Sequence, residues 1–204
     1  MSTFYIIRHA EKQKGDFHNP DLRHQDEPIS PKGKQDSQRL WCFFADKQIS
    51  AIYISEYLRT AQTIEYVADQ LGLTPTIDKR LNEMDNGLFE GMSSEETQRT
   101  YPDIWEIYRQ RKEDFRFPEG ETAEEARKRI AEILEEKQSA HDHDKAGIIF
   151  VCHDGLIRVL MCHIMNLPVY QRGNFRVDFC GIMEITYQPD YDALKLIRFN
   201  HTID

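Results

Sequence analysis

Three short apolar runs, each ending in polar residues and each followed by helical periodicity, constrain this chain more than anything else in it. Phe4-Tyr-Ile-Ile7 runs into Arg8-His9, Ala51-Ile-Tyr-Ile54 into Ser55 and Arg59, and Gly147-Ile-Ile-Phe-Val-Cys152 into His153-Asp154-Gly155. Ser30-Pro31 reads as an N-cap followed by proline at the first helical position, with Leu40, Phe43 and Phe44 as the buried stripe. Ala61, Ile64, Ala68 and Leu71 recur at helical spacing until Gly72 stops them, and Leu156, Val159, Leu160 and His163 continue as a third helix. Strands alternating with helices predict a mainly parallel sheet in a three-layer αβα sandwich, an α/β fold.

The remaining segments fill in around that frame. Val177 to Tyr187 and Ala193 to Phe199 read as a strand pair, antiparallel, around Pro189-Asp190. Asn82 to Gly120 is polar and aromatic and reads as a small helical cap insertion (about 82–120), with Trp105, Tyr108 and Phe115 as its own core. Thr122-Ala-Glu-Glu125 is a capping box opening a helix with Ala126, Ile130 and Ile133 inward and Glu132, Glu135 and Glu136 solvated. With no repeat, low-complexity tract or linker, one domain over 1–204 is expected.

Composition narrows the partners. Lys and Arg number 26 against 35 Asp and Glu, a net charge of −9, which argues against nucleic acid as a partner because that binding rests on neutralising phosphates. No apolar run is long enough for a bilayer and the first residues show no basic leader, so a cytoplasmic protein without membrane attachment is expected. Nothing points to an oligomeric state. Cys42, Cys152, Cys162 and Cys180 contain no CxxC pair and read as buried free thiols. His163 reads as a core histidine, and His141 and His143 as part of a solvated turn and not a metal site.

Ligands in open parallel sheets bind beyond the carboxyl ends of the strands. Arg8, His9, Arg59 and His153 all fall there, so they should gather on one edge. Arg59 would sit in a first helical turn, where a cation is disfavoured unless an anion compensates. Two arginines, two histidines and two helix N-termini make a pocket sized and charged for phosphate. The matching chemistry is phosphoryl transfer to a histidine, with flanking cations neutralising the equatorial oxygens and a carboxylic acid protonating the departing alcohol. Glu83, at the mouth of the insertion and expected to be partly buried, is the candidate acid, with Asp85 two positions away as its rival. No cluster has metal-ligand spacing, so neither metal nor cofactor is expected. Cys152 and Arg158 have the spacing of a cysteine-dependent phosphatase loop, but Leu156 and Ile157 are too bulky to cradle phosphate.

These residues also resemble a known family. Ile7-Arg8-His9-Ala10-Glu11 is similar to the R-H-G/A-E signature of the histidine phosphatase superfamily, the phosphoglycerate mutase-like group. Pro28 to Gly33, Ser55 to Thr63, Leu81 to Gly91, Phe117 to Thr122 and Val151 to Gly155 resemble its further motifs in the same order. The resemblance implies His9 as the phosphorylated nucleophile, Arg8, Arg59 and His153 as phosphate-binding partners, and Glu83 as general acid and base. The loop from Glu11 to Asp26 departs from the pattern, with Gly15 where many members have asparagine and Asn19 out of register. The implied activity is metal-independent hydrolysis of a small phosphomonoester. The alternatives are a mutase-type phosphotransferase, for which the chain is short, and a phospholigand-binding module without catalysis.

Overall fold

The computed structural model describes residues 2–23, 25–140 and 146–203. Six strands form one mixed sheet in the order β3-β2-β4-β1-β5-β6: β1 (Thr3–Arg8), β2 (Ile49–Ile54), β3 (Thr76–Ile77), β4 (Gly147–Cys152), β5 (Ile182–Gln188) and β6 (Ala193–His201). Strands β1 to β4 pair in parallel, and β5 joins β1 and β6 antiparallel. The α/β architecture expected from the strand and helix alternation is present.

Alternation along the central strands builds two cores. Phe4, Ile6 and Phe150 face α6 (Ala123–Ala140) and α7 (Asp154–Ile164), packing with Ile130, Ile133, Leu156 and Leu160. Tyr5, Ile7, Ile149 and Val151 face the other way, onto Leu40 and Phe44 beside α1 (Pro31–Arg39) and α2 (Trp41–Phe44), and onto Ile64 and Val67 of α3 (Leu58–Leu71). All six residues of β4 are buried, as a strand covered on both faces requires. The capping signals hold: Ser30 accepts from Gly33 N, Gly72 closes α3 at φ 65, and Thr122 and Glu125 exchange both capping-box bonds at 3.1 and 2.9 Å.

The segment 82–120 contains α4 (Ser94–Thr100) and α5 (Pro102–Gln110). It is pinned to the rest through two glycines whose backbones touch. A Cβ on Gly87 (φ 54) would lie 1.9 Å from Pro118 O, and one on Gly120 would lie 2.3 Å from Asp85 O. The segments 82–91 and 117–122 therefore lock backbone to backbone, with Leu88 N donating to Pro118 O at 2.8 Å and Glu121 N to Asp85 O at 3.0 Å.

Several expectations need correction. The first helix breaks at Leu40, whose N–H turns back to Ser37 O, so Phe43 and Phe44 belong to a separate short helix. Residues 177–181 are not strand: Cys180 adopts φ 56 and the segment wraps the end of β1 through Cys180 N to Arg8 O at 3.1 Å and Arg8 N to Gly181 O at 3.2 Å. Cys42 is exposed, while the other three thiols are buried. His163 is half-buried in the last turn of α7, outside the core. No side chain of α5 is fully buried, so Trp105 and Tyr108 stack (5.6 Å) on a half-open surface. His141 and His143 lie outside the described residues. Among the described residues no helix is long and apolar enough to cross a membrane, and no group of three or more His, Cys, Asp or Glu could hold a metal.

Candidate active site

The carboxyl ends of β1, β2 and β4 are adjacent in the sheet, and each delivers part of one site. Arg8 is the last residue of β1 and His9 follows it, with His9 N donating to Cys152 O at 3.0 Å. Ser55 follows β2 and Arg59 is the second residue of α3. His153 follows β4 and is the N-cap of α7. All four residues expected to converge do so: the His9 and His153 ring centroids are 5.2 Å apart, and Arg59 Nη2 lies 3.3 Å from His153 Nδ1.

The hydrogen bonds assign the His9 tautomer. Nδ1 is 2.8 Å from Ala10 O, and a carbonyl can only accept, so Nδ1 carries the proton and Nε2 keeps its lone pair. His9 is 4% exposed. Burial first, then the Arg59 and Arg8 guanidiniums, push its pKa down to about 3, partly opposed by the Ala10 bond. A neutral imidazole with an available Nε2 is the form a nucleophile requires. His153 is oriented through the same reasoning: Arg59 Nη2 can only donate, so Nδ1 accepts, and Nε2–H donates to Ser55 Oγ at 2.8 Å.

Both arginines are held by backbone and rings. Arg8 Nη1 donates to Val177 O at 2.5 Å, its guanidinium lies 4.1 Å from the Phe179 ring, and Asp154 Oδ1 is 3.9 Å away. The 177–181 turn thus gives up strand pairing to enclose Arg8. Arg59 Nη1 donates to Gln25 O at 3.0 Å and to Glu27 Oε2 at 3.4 Å, and its guanidinium sits 4.3 Å from the Tyr57 ring. Burial lowers the pKa of both arginines, and neighbouring carboxylates, Asp154 for Arg8 and Glu27 for Arg59, act against it. The Nε atoms of Arg8 and Arg59 are buried and without a hydrogen-bond partner among the described residues. Buried polar groups are rarely left so. Two orphaned guanidinium N–H groups beside two imidazoles fit an oxyanion.

Glu83 is half-buried, and its carboxylate lies on the N-terminus of α7. It accepts from Gly155 N at 3.3 Å, Leu156 N at 3.2 Å and its neighbour Met84 N at 2.8 Å. The rival Asp85 is engaged elsewhere, by Gly87 N at 2.8 Å and Arg23 Nε at 3.1 Å. The Cys152 thiol is buried in the core behind the site and burial drives its pKa up, so it carries no nucleophilic role.

Sequence reasoning passed over the supporting residues. Glu27, 8% exposed, bridges Lys12 (2.6 Å) and Arg59. Thr63 Oγ1 links Ala10 N (2.8 Å) to Arg59 O (2.6 Å), tying the segment that carries His9 to α3. Ser55 and Thr63 stand inside a quoted motif, and its fixed spacing was the signal that could have found them. Glu27 lies between the departing loop and the motif that starts at Pro28, where no pattern singles it out. In that loop Asn19 bonds Asp26 and not the site.

The sequence profile of the histidine phosphatase superfamily (branch 1) matches residues 4–200. The chain belongs to that superfamily. It is therefore a phosphatase-family enzyme. A relative from Hydrogenobacter thermophilus, provisionally named phosphoserine phosphatase 2, is 26% identical over 201 residues, covering 97% of this chain and 96% of its own length. The human 6-phosphofructo-2-kinase/fructose-2,6-bisphosphatase 4 is 26% identical over 189 residues, 90% of this chain, but this chain spans only 37% of that longer protein. Among solved structures, a mycobacterial glucosyl-3-phosphoglycerate phosphatase superposes with a TM-score of 0.80 at 19% identity, covering 98% of this chain and 99% of the other. The H9A mutant of Entamoeba histolytica phosphoserine phosphatase, in complex with phosphoserine, gives 0.79 at 17% identity, covering 98% and 97%. These two likenesses establish the shared fold.

Proposed function

We propose that this protein hydrolyses small phosphomonoesters through a phosphohistidine on His9. The observation that carries this reading is the neutral His9 imidazole, with Nδ1 committed to Ala10 O and Nε2 left as the nucleophile between two guanidiniums. In the first step Nε2 attacks phosphorus, the P–O bond to the alcohol breaks, and Glu83 supplies the proton the alkoxide takes. Arg8 and Arg59 hold the phosphoryl oxygens, joined by His153 once its Nδ1 is protonated and Arg59 Nη2 turns from it to the phosphate, and the two arginines supply the charge neutralisation that a metal ion provides elsewhere. In the second step Glu83, now a carboxylate, takes a proton from water as it attacks phosphohistidine, and inorganic phosphate leaves. The relatives and neighbours named for phosphoserine, fructose bisphosphate and glucosyl-phosphoglycerate phosphatases support hydrolysis of a small ester over the mutase alternative.

The deciding experiment is a rapid quench with 32P-labelled p-nitrophenyl-type or alkyl monoester in the presence of chelator. Protein-bound label that is lost in acid and survives alkali, with release of inorganic phosphate, is the expected result. Label persisting in His9→Ala overturns the nucleophile, and phosphoryl exchange between positions of a phosphoglycerate without net phosphate release replaces hydrolysis with the mutase reaction.

A further inference from the structure

A cavity of about 280 Å³ opens beside Glu83 and the Asp154-Gly155 turn, between the cap helix α5 and the 3₁₀ segment Val169–Asn174. Its walls mix rings, among them Tyr108 and Phe115, with three arginines, Arg111, Arg158 and Arg172. Three guanidiniums in one cavity stand out in a chain of net charge −9.

The carboxylates around them are largely spoken for. Asp154 forms a two-pronged pair with Arg158, at 2.9 and 2.8 Å, which takes that arginine's charge out of play. Glu83 lies on backbone N–H groups of α7. Asp114, the anion that most supports Arg172, accepts from Ala123 N (3.2 Å) and Glu124 N (3.0 Å) at the start of α6. Glu113 stands exposed at the cavity wall. Among the described residues Arg172 donates only to Val169 O, at 3.3 Å, and neither it nor Arg111 forms a salt bridge. Arg111 ends α5 in the left-handed conformation (φ 50), and its guanidinium rests against the backbone of Gly173, where a Cβ would come within 2.6 Å of Nη1. The missing side chain at 173 is what lets the cap's Arg111 reach the residue beside Arg172.

We propose that this cavity takes the distal end of the phosphomonoester and that Arg111 and Arg172 hold a second anionic group on it, a carboxylate or a second phosphate. This rests on the phosphatase reading, because the cavity is placed by Glu83 at the leaving-group side. The substrate class is then a small ester with two anionic groups, with the ring walls covering its carbon skeleton.

The test uses matched esters that differ only in the distal group. 3-Phosphoglycerate carries a carboxylate where glycerol 3-phosphate carries a hydroxymethyl, and fructose 1,6-bisphosphate adds a second phosphate to fructose 6-phosphate. The wild-type protein should prefer one or both charged members by about tenfold or more in kcat/KM, the worth of one hydrogen bond to a charged group. Which pair shows the preference tells carboxylate from phosphate. Arg111→Met, at an exposed position that should fold normally, is expected to bring the preferred pair to near parity, with Arg111→Lys in between. No preference in either pair, or a preference that survives both Arg111→Met and Arg172→Met, overturns the proposal. If no ester is hydrolysed, the phosphatase reading is what fails. Calorimetric titration with 3-phosphoglycerate and fructose 1,6-bisphosphate then decides the cavity: weaker binding of either to Arg111→Met upholds it, and equal or absent binding overturns it.

Discussion

The Glu83 carboxylate and the Gly155 N–H meet at 3.3 Å, and Gly155 has no room for a side chain: a Cβ there would lie 2.8 Å from Glu83 Oε1. The Glu83 side chain and the helix after His153 are thus fitted to each other. Gly155→Ala should push the carboxylate off α7 while leaving the fold intact. If Glu83 is the proton donor, kcat on an alkyl phosphate should fall by about 10²-fold, and much less on p-nitrophenyl phosphate, whose leaving group needs no proton. Equal losses on the two esters, with an unchanged circular dichroism spectrum, would remove Glu83 from the proton-transfer role.

A second device holds the backbone of Glu83. Arg129 of α6 donates to Arg80 O at 2.6 Å, to Glu83 O at 3.2 Å and, through two nitrogens, to Glu121 at 2.7 and 3.2 Å. Glu121 in turn accepts from Asp85 N at 3.0 Å. Arg129→Met frees all three segments at once. It should lower stability by about 2 kcal/mol, less than a fully buried pair because both side chains keep some solvent contact. It should also cut turnover of alkyl phosphates more than of p-nitrophenyl phosphate, and a purely structural role would lower both alike.

His9 sets a pH dependence with a definite sign. Its pKa falls to about 3 in the folded chain, from the ordinary histidine value in the unfolded one. Between those two values the unfolded state binds the extra proton, so stability drops as pH falls through the window and is fully present above it. The expected slope is about 1.4 kcal/mol per pH unit from this one group. Urea melts of wild type and His9→Asn at several pH values between 4 and 6 measure it as the difference between the two slopes. The His9 ring protons should also keep their chemical shift between pH 7 and 5, and titration in that range would contradict a neutral buried imidazole.

How much of this the sequence revealed depended on how local the cause was. Arg8, His9, Arg59 and His153 were legible because each follows a strand whose apolar run is short and sharply ended, and the parallel order of β1, β2 and β4 does the rest. Glu83 was legible as a residue but not its seat on Gly155, which depends on two segments far apart in the chain. Val177 and Phe179 alternate as in a strand, yet the left-handed Cys180 turns the segment around Arg8, a tertiary demand that overrides that local pattern. No motif or periodicity marks Arg111 and Arg172, since the cavity that joins them is lined by segments far apart in the chain, from Glu83 to Phe117, Asp154 to Arg158 and Tyr170 to Gly173.

Gly87 tests whether the cap's placement rests on backbone contact. Its φ of 54 and the 1.9 Å approach to Pro118 O exclude a side chain twice over, sterically and conformationally. Gly87→Ala should cost about 1 to 3 kcal/mol, seen as a lower urea midpoint with an unchanged slope. Gly72, also at positive φ but with nothing near its missing Cβ, is the control: Gly72→Ala meets only the conformational penalty.

Glu27 is a buried carboxylate between Lys12 and Arg59, one residue past the loop that departs from the family pattern, and it is the main charge opposing the burial of Arg59. Glu27→Gln keeps the shape and removes the charge. Arg59 then faces the phosphate site without its carboxylate partner, and Lys12 is released to solvent. If Glu27 restrains Arg59 for phosphate binding, KM should rise by about three- to tenfold while kcat changes little, because one charge-assisted contact is lost and His9 and Glu83 are untouched. Inorganic phosphate, as a competitive inhibitor, should weaken by the same factor. A fall in kcat with KM unchanged would instead place Glu27 in the chemical step, and unchanged kinetics with lower stability would leave it a structural ion-pair residue.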